Sequence, residues 1–190
     1  MTERASGVRR PEEFRDVYHR VYREPPYHED ASAADSFAGQ LAEHAALPGF
    51  TVTTVRDGDA LGGFAYGVRR EEGWWHPRAA APGPRRLRGP LFYVYELAVV
   101  RELRGRGHGR ELLELLLADR TEPYAVLAAS NRAPARELYG RWGWVKAGEL
   151  TGPPDGVDLL ARPLAPAPTS RGAPLLDRAG APVADLDHYS

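Results

Sequence analysis

The segment that most constrains the fold is a strand-like run followed by three alternating glycines and an amphipathic helix. Leu91–Val100 is rich in aromatic and β-branched residues, which predicts a strand. A helix is expected from about Gly107 to Asp119, with one apolar stripe formed by Leu112, Leu113, Leu116 and Leu117. Between strand and helix lies the turn Arg104-Gly105-Arg106-Gly107-His108-Gly109.

The composition of this turn indicates an anion-binding site. Glycine at alternate positions permits backbone conformations that other residues avoid, and it lets a ligand approach the main chain closely. The amides can then point together at one anion, beside the positive end of the helix dipole. Arg104 and Arg106 add charge that suits phosphate oxygens. A pyrophosphate is the expected ligand, and a glycine-rich turn without a ligand is the alternative.

The glycine spacing separates this turn from two common nucleotide-binding turns. A kinase-like phosphate loop requires Gly-Lys-Ser/Thr, which the sequence lacks. A dinucleotide-binding fold requires Gly-x-Gly-x-x-Gly near the start of repeated βαβ units. Here the spacing is Gly-x-Gly-x-Gly and the turn lies past the middle of the chain. Both differences disfavour a nucleotide-binding protein.

Hydrophobic periodicity predicts the remaining elements. Helices are expected at about 11–23, 32–46 and 133–141. Strands are expected at 50–55, 60–68 and 124–129, with a closing hairpin formed by 144–147 and 157–162. The order α-α-β-β-β-α-β-α-β-β indicates an α/β (α+β) domain around one sheet.

The chain is expected to form one domain and a tail. Its 190 residues suffice for one compact domain with its own core. Residues 69–90 contain several prolines and the pair Trp74–Trp75, so we expect a long loop there, either functional or disordered. The domain should span 1–163. The proline-, alanine- and glycine-rich stretch 164–190 predicts an extended or mobile tail.

The composition excludes several classes of function. A formal net charge of -1 gives no basic field for nucleic acid or an anionic membrane. The absence of cysteine excludes disulfides, thiolate metal sites and a cysteine nucleophile. The histidines have no metal-ligand spacing, so no metal is expected. The polar start of the chain carries no apolar signal segment, and we expect a cytoplasmic protein.

Residues 91–148 resemble the core of the GNAT superfamily of N-acetyltransferases. The family signature Gln/Arg-x-x-Gly-x-Gly/Ala is matched by Arg104, Gly107 and Gly109. The run Ala135-x-x-Leu138-Tyr139-x-x-Trp142-Gly143-Trp144 resembles the helix and strand that follow in the family, where Gly-Phe is commoner than Gly-Trp. The resemblance implies the acyl-CoA N-acyltransferase fold, with a central mixed, mostly antiparallel sheet flanked by helices.

The resemblance also implies a reaction and two catalytic residues. Acetyl-CoA would be the acyl-donor cosubstrate, and the acceptor would be a primary amine of a small molecule or peptide. Glu96 is the candidate general base, since a carboxylate in the middle of a strand is poorly placed unless it faces a cleft. Tyr139 is the candidate general acid for the leaving thiolate. Alternatively, Glu96 pairs with an arginine or faces solvent, and Tyr139 only packs.

Family resemblance assigns the cofactor contacts to two backbone segments and one side chain. The amides of Leu97, Ala98 and Val99 would hold the acetyl carbonyl and the pantetheine arm. The remaining candidates are the turn, the start of its helix and one asparagine: Arg104, Gly105, Arg106, Gly107, His108, Gly109, Arg110 and Asn131. His108 would contribute through its backbone amide. Asn131 could instead cap the next helix.

The acceptor site is expected to involve the first helices and the long loop, as in the family. The candidate residues are Tyr22, Tyr27 and Trp74. Acidic residues occur in the same segments, namely Glu24, Glu29, Asp30 and Glu71, and aromatics with carboxylates would suit a cationic amine. Ordinary solvated surface, with Trp74 and Trp75 packing a flap on the sheet, is the alternative. A second class of function is a CoA-binding module without turnover. A monomer or homodimer is expected.

Overall fold

The computed structural model describes residues 1–85 and 87–164. Its helices are α1 (Pro11–Tyr22), α2 (Ala31–Ala45), α3 (His108–Leu117) and α4 (Ala135–Arg141). Its strands are β1 (Thr2–Ala5), β2 (Thr51–Asp57), β3 (Ala60–Arg70), β4 (Leu91–Val99), β5 (Tyr124–Ser130), β6 (Val145–Glu149) and β7 (Val157–Pro163). A 3-10 turn, Arg101–Leu103, follows β4. Apart from Leu164, the tail predicted at 164–190 lies outside the described residues.

The seven strands form one sheet in the order β1-β2-β3-β4-β5-β7-β6. Strands β4 and β5 run parallel, and every other neighbouring pair is antiparallel. The predicted mixed, mostly antiparallel sheet with flanking helices is confirmed. The sequence does not predict β1, because its four residues are mostly exposed and lack an apolar alternation.

Helices α1 and α2 cover one face of the sheet. Pro11 starts α1, and the helix buries its apolar stripe, where the Phe14 and Phe64 rings lie 4.9 Å apart. Asp30 caps α2 by accepting hydrogen bonds from the amides of Ser32 and Ala33. Helix α3 covers the opposite face. Phe64 pairs with Thr54, so the neighbouring Thr53 points to the other side of the sheet. There the Thr53 hydroxyl donates a 3.0 Å hydrogen bond to the Leu112 carbonyl of α3.

Two irregularities of β4 create the opening in which the site lies. Its ladder with β5 pairs only Leu91–Val94 with Tyr124–Leu127, so the two strands diverge beyond that point. Its ladder with β3 pairs Val94 with Gly67 and Glu96 with Tyr66, which leaves Tyr95 as an extra residue. This bulge shifts the alternation of side chains along β4 by one residue.

Candidate active site

Two cavities meet where β4 and β5 diverge. The first, here called the strand cavity, has a volume of about 520 Å³ and lies between the strands under the end of α1. The second, the turn cavity, has a volume of about 510 Å³ and lies against the glycine-rich turn. Residues that line both are Tyr22, Pro26, Tyr27, Leu97, Ala135 and Tyr139. Because they share this lining, the two cavities adjoin, and together they are called the passage between the turn and the diverging strands.

The turn presents unpaired backbone donors to its cavity. Gly105 has a φ of 75° and Gly107, the residue before α3, has a φ of 86°, so both adopt the left-handed conformation that favours glycine. Glu111 is the first α3 residue whose amide donates to a preceding carbonyl, that of Gly107. Within the described chain no backbone acceptor takes the amides of 105–110. A Cβ at Gly107 would meet nothing within 4 Å, so the space before these donors is open.

The rest of the turn cavity is mainly apolar. Its walls come from the end of β4, the 3-10 turn and α4: Val99, Leu103, Pro134, Leu138 and Trp142. Leu138 is 37% exposed although it is a large apolar residue on a short helix. Such a surface suits an extended, largely apolar ligand arm in front of an anion-binding turn.

The arginines of the turn are arranged differently from the expectation that both serve a phosphate. The Arg104 guanidinium donates to the Val99 carbonyl at 2.9 Å and to the Glu24 carboxylate at 2.7 Å. It therefore joins the turn to the segment between α1 and α2. Arg106 is exposed and does not line the cavity, whereas Arg110 does. His108 lines the turn cavity, and its ring Nδ1 lies 3.3 Å from the Glu111 carboxylate.

The β-bulge brings Glu96 to the face of the sheet covered by α1. Because Glu96 pairs with Tyr66, both side chains lie on the α1 side. There the Tyr22 hydroxyl donates a hydrogen bond to Glu96 Oε1, and the Leu97 amide donates a second one to the same oxygen at 3.1 Å. Burial raises the pKa of Glu96 to about 7, although these two hydrogen bonds oppose the rise.

This arrangement changes the expected role of the β4 amides. The Leu97 amide, a predicted ligand contact, is already engaged by the Glu96 carboxylate. Leu97 lines both cavities and Val99 lines the turn cavity, whereas Ala98 is buried and lines neither. Between residues 95 and 99 the β4 edge that faces β5 has no partner in the described ladder.

Tyr139 reaches the passage from the opposite side. It is the buried residue of α4, and it lines both cavities. Burial, and then the negative charge of Glu96, raise the pKa of the Tyr139 hydroxyl well above its ordinary value. Tyr139 therefore stays protonated near neutral pH and is available as a donor, opposite a carboxylate that titrates there.

Besides Ala98 and Arg106, two more predicted site residues lie outside both cavities, namely Trp74 and Asn131. Trp74 packs on the sheet with its ring 5.1 Å from that of Tyr93, as the flap interpretation expects. Asn131 is exposed, and its side chain lies where a Cβ on Gly156 would be. Asn131 does not cap α4, since the residue before that helix is Pro134 and the helix has no side-chain cap.

The sequence analysis missed a second carboxylate–tyrosine pair in the strand cavity. The Tyr18 hydroxyl donates to Glu29 at 2.7 Å, and both residues line the cavity. Tyr18 precedes Tyr22 by four residues in α1, so their spacing places both on one helix face. The spacing alone predicts that the two tyrosines share a helix face. The contact of Tyr18 with Glu29, in contrast, depends on the path of the segment between α1 and α2.

Among residues 1–85 and 87–164, no group of three or more acidic or histidine side chains could hold a metal ion. In the same residues, no helix is long and apolar enough to cross a membrane.

Comparisons with known proteins agree with this architecture. No curated protein sequence matches the chain. The structure resembles aminoglycoside 6'-acetyltransferase type Ii, with a TM-score of 0.60 and 18% identity over 88% of this chain and 99% of that one. An acetyltransferase from Thermus thermophilus gives a TM-score of 0.59 and 16% identity over 86% and 97% of the two chains. At such identities the likeness shows the fold alone.

A third structure contains a ligand. The PaiA N-acetyltransferase from Thermoplasma acidophilum, in complex with coenzyme A, gives a TM-score of 0.59 and 10% identity over 86% of this chain and 99% of that one. The family model described as the acetyltransferase (GNAT) family matches residues 12–144, which include α1 from its second residue, the glycine-rich turn, Glu96 and Tyr139. The chain belongs to the GNAT family of acetyltransferases.

Proposed function

We propose that this chain transfers the acetyl group of acetyl-CoA to a primary amine of a small molecule or peptide, by direct attack of the amine on the thioester. The observation that carries the proposal is the shared passage. Glu96 and Tyr139 both face it, and it continues to the unpaired amides of the turn. A proton acceptor, a proton donor and an anion site are thus connected through one space.

The residues present fit coenzyme A. The open amides of the Arg104–Gly109 turn and the start of α3 would bind the pyrophosphate. The apolar wall with Val99, Leu138 and Trp142 would hold the pantetheine arm. When bound, acetyl-CoA supplies an acetyl thioester whose carbonyl carbon is open to attack.

Glu96 would accept the proton that the attacking nitrogen releases. Alkyl amines have a pKa of about 10, so the small uncharged fraction is the form that attacks. Its nitrogen must lose one further proton as the carbon–nitrogen bond forms, so a base beside it is needed. A general base performs best when its pKa lies near the working pH. The pKa of about 7 at Glu96 meets that condition, and Tyr22 and the Leu97 amide hold the carboxylate in place.

Tyr139 would supply the proton that the departing sulfur takes up. As the new carbon–nitrogen bond forms, the carbon–sulfur bond breaks and its electron pair remains on sulfur. A buried, protonated phenol can quench that charge without water entering the passage. The phenolate would then be reprotonated with the proton held at Glu96, which restores both residues.

The test is thiol release from acetyl-CoA in the presence of a panel of primary amines. The chain has no cysteine, so every thiol that a colorimetric reagent detects belongs to the product. We expect amine-dependent release by the wild type and mass-spectrometric evidence for the acetylated amine. A protein that acetyl-CoA stabilises against heat, but that releases no thiol with any amine, would instead be a CoA-binding module.

A further inference from the structure

The strand cavity contains a second carboxylate that the proposed reaction does not use. Glu29 lies between α1 and α2, is half-buried and lines the cavity together with Glu96. Its carboxylate accepts the Tyr18 hydroxyl at 2.7 Å. Burial is the main cause of the raised pKa of Glu96, and the negative charge of Glu29 adds a smaller contribution.

Adjacent turns of α1 each donate a hydrogen bond to one of the two carboxylates. Tyr18 and Tyr22 are four residues apart, their ring centroids lie 4.4 Å apart, and each hydroxyl donates to a different carboxylate. Successive turns of an α-helix are separated by about 5.4 Å. The two tyrosines therefore place Glu29 and Glu96 at neighbouring positions, with a separation on the order of one helix turn, about 5 Å, which is about the span of three or four carbon atoms.

Neither carboxylate has a cationic partner in the part of the chain that the structure describes. Other half-buried glutamates do, for example Glu13 with Arg56 at 2.5 Å and Glu24 with Arg104 at 2.7 Å. The described lining contains one cation, the exposed Arg132, and one further carboxylate, the exposed Asp155. A charge that is buried or half-buried without a counter-ion is costly, so a ligand that supplies the cation is favoured.

Aromatic rings complete the surroundings of this anionic pair. Tyr27 lies edge-on against Tyr22, with ring centroids 4.7 Å apart, and both rings line the cavity. Tyrosine rings attract ammonium groups, and they do so more strongly where water is excluded. A cation bound between Glu29 and these rings would be stabilised by the charge of the carboxylate and by the aromatic rings.

We propose that the acceptor is a dicationic amine, of which Glu96 receives the amino group that is acetylated and Glu29 binds a second ammonium group. This inference rests on the proposed function and specifies its acceptor. The class comprises compounds with two amino groups separated by about three or four carbons, whether in an alkyl chain or on a ring. The charge and spacing recognised are the same in both.

The test compares 1,4-diaminobutane with pentylamine, which replaces the second amino group by a methyl group. We expect the wild type to favour the diamine in kcat/KM by about tenfold or more, the effect of one charge contact of about 1.4 kcal/mol. In Glu29→Gln the ratio of the two kcat/KM values should fall toward one. The change should lie mostly in KM, because Glu29 binds the amino group that does not react.

Two matched variants make the test specific. Glu29→Gln keeps an oxygen that can accept the hydrogen bond from the Tyr18 hydroxyl, so the variant should fold. The thermal shift given by coenzyme A checks this. Asp155→Asn removes the other acidic lining residue, and it should preserve most of the diamine preference. If both variants reduce the preference equally, the cavity attracts cations only through its overall charge and the proposed role of Glu29 is wrong.

A binding measurement separates this inference from the proposed reaction. Calorimetry with the CoA-bound protein should show tighter binding of 1,4-diaminobutane than of pentylamine in the wild type, and no such difference in Glu29→Gln. Diamine binding without turnover would sink the proposed reaction and preserve the dicationic site. Turnover of amines without any preference for the diamine would preserve the reaction and overturn the dicationic site.

Discussion

The glycine-rich turn and the strand cavity are built in opposite ways as proposed ligand sites. The amides of residues 105–110 have no backbone acceptor in the described chain, and their arrangement depends on the left-handed conformation of Gly105 and Gly107. The strand cavity presents side chains from α1, the segment after it, β4, β5, α4 and the connection before β7. The first is a local feature of the chain, and the second exists only after the whole domain has folded.

This difference separates the constant part of such a site from the adaptable part. A backbone site tolerates most side chains provided the glycines remain, whereas an acceptor site can change by substitution at any of several segments. The two regions touch at the six residues that line both cavities, namely Tyr22, Pro26, Tyr27, Leu97, Ala135 and Tyr139. Variants on either side of this boundary should therefore affect different quantities.

The largest effect is expected at the turn. Gly107→Val should abolish the thermal shift given by coenzyme A, because a β-branched residue does not tolerate a φ of 86° and the amides would turn away from the ligand. The matched control is Gly109→Ala. The φ of Gly109 is ordinary, and an added Cβ would lie 4.0 Å from both Trp142 and Val99, so binding should persist. A folded Gly107→Val protein that binds normally would show that the turn is not the site.

The next effect is expected in the strand cavity, on rate and not on cofactor binding. Glu96→Gln should keep the coenzyme A thermal shift while kcat/KM falls by about 10²–10⁴, the usual contribution of a general base. High pH should restore part of the rate because more of the amine is uncharged. Tyr139→Phe serves as the comparison. This variant lacks the proposed proton donor to sulfur, so high pH should restore little of its kcat/KM. Nearly full activity of Glu96→Gln across the pH range would assign the base elsewhere.

The two regions also differ in how much the sequence predicts. The sequence predicts where the turn lies, between β4 and α3, because its glycines and the following leucine stripe are contiguous. Within the cavity, Glu96 stood out only as a carboxylate in an apolar strand. The bulge at Tyr95 that turns Glu96 toward α1 depends on the register of two strands, which no single segment encodes.

The positions of two further side chains, Trp74 and Glu29, also depend on tertiary packing that the sequence does not predict. Trp74, a candidate for the acceptor site, packs against Tyr93, because a large apolar surface in a long loop gains more from burial on the sheet. The Glu29 pairing with Tyr18 joins residues from two segments whose meeting is set by how α1 and α2 pack. Periodicity predicts which face of a helix is buried, and it does not predict which loop carboxylate that face will meet.

A smaller effect is expected on the stability of the folded protein, through the ionisation of the Glu96 carboxyl group. The folded-state pKa of Glu96 is about 7, above its ordinary value of 4.5, so its contribution to stability is complete below about pH 4.5 and is lost as pH rises through 7. Glu96→Gln is neutral at every pH, and its amide oxygen can still accept both hydrogen bonds. Urea unfolding should find it more stable than the wild type at pH 8, by about 1–3 kcal/mol, and little different at pH 4.5. Equal stability at pH 8 would mean that the carboxylate is not desolvated.

The smallest effect is expected from Tyr22, which lies on the boundary between the two regions. Its hydroxyl donates to Glu96, and this bond lowers the pKa of the carboxyl against the effect of burial. In Tyr22→Phe the pKa of Glu96 should rise, so less of the catalytic carboxylate form is present at pH 6.5, while at pH 9 the fraction matches the wild type.

The measurement is therefore the ratio of variant to wild-type kcat/KM across pH, in which the ionisation of the amine itself cancels. This ratio should be lowest below pH 7 and rise toward alkaline pH, with the acid limb displaced upward by about one pH unit, since a hydrogen bond to a charged group contributes about 1.5 kcal/mol. Tyr27→Phe removes the same group from the same cavity, but the Tyr27 hydroxyl makes no hydrogen bond to Glu96 in the described structure, so its acid limb should stay in place. Coenzyme A binding should remain intact in both variants, because the turn amides do not depend on either phenol. A pH-independent ratio for Tyr22→Phe would instead mean that Tyr22 shapes the passage without tuning the base.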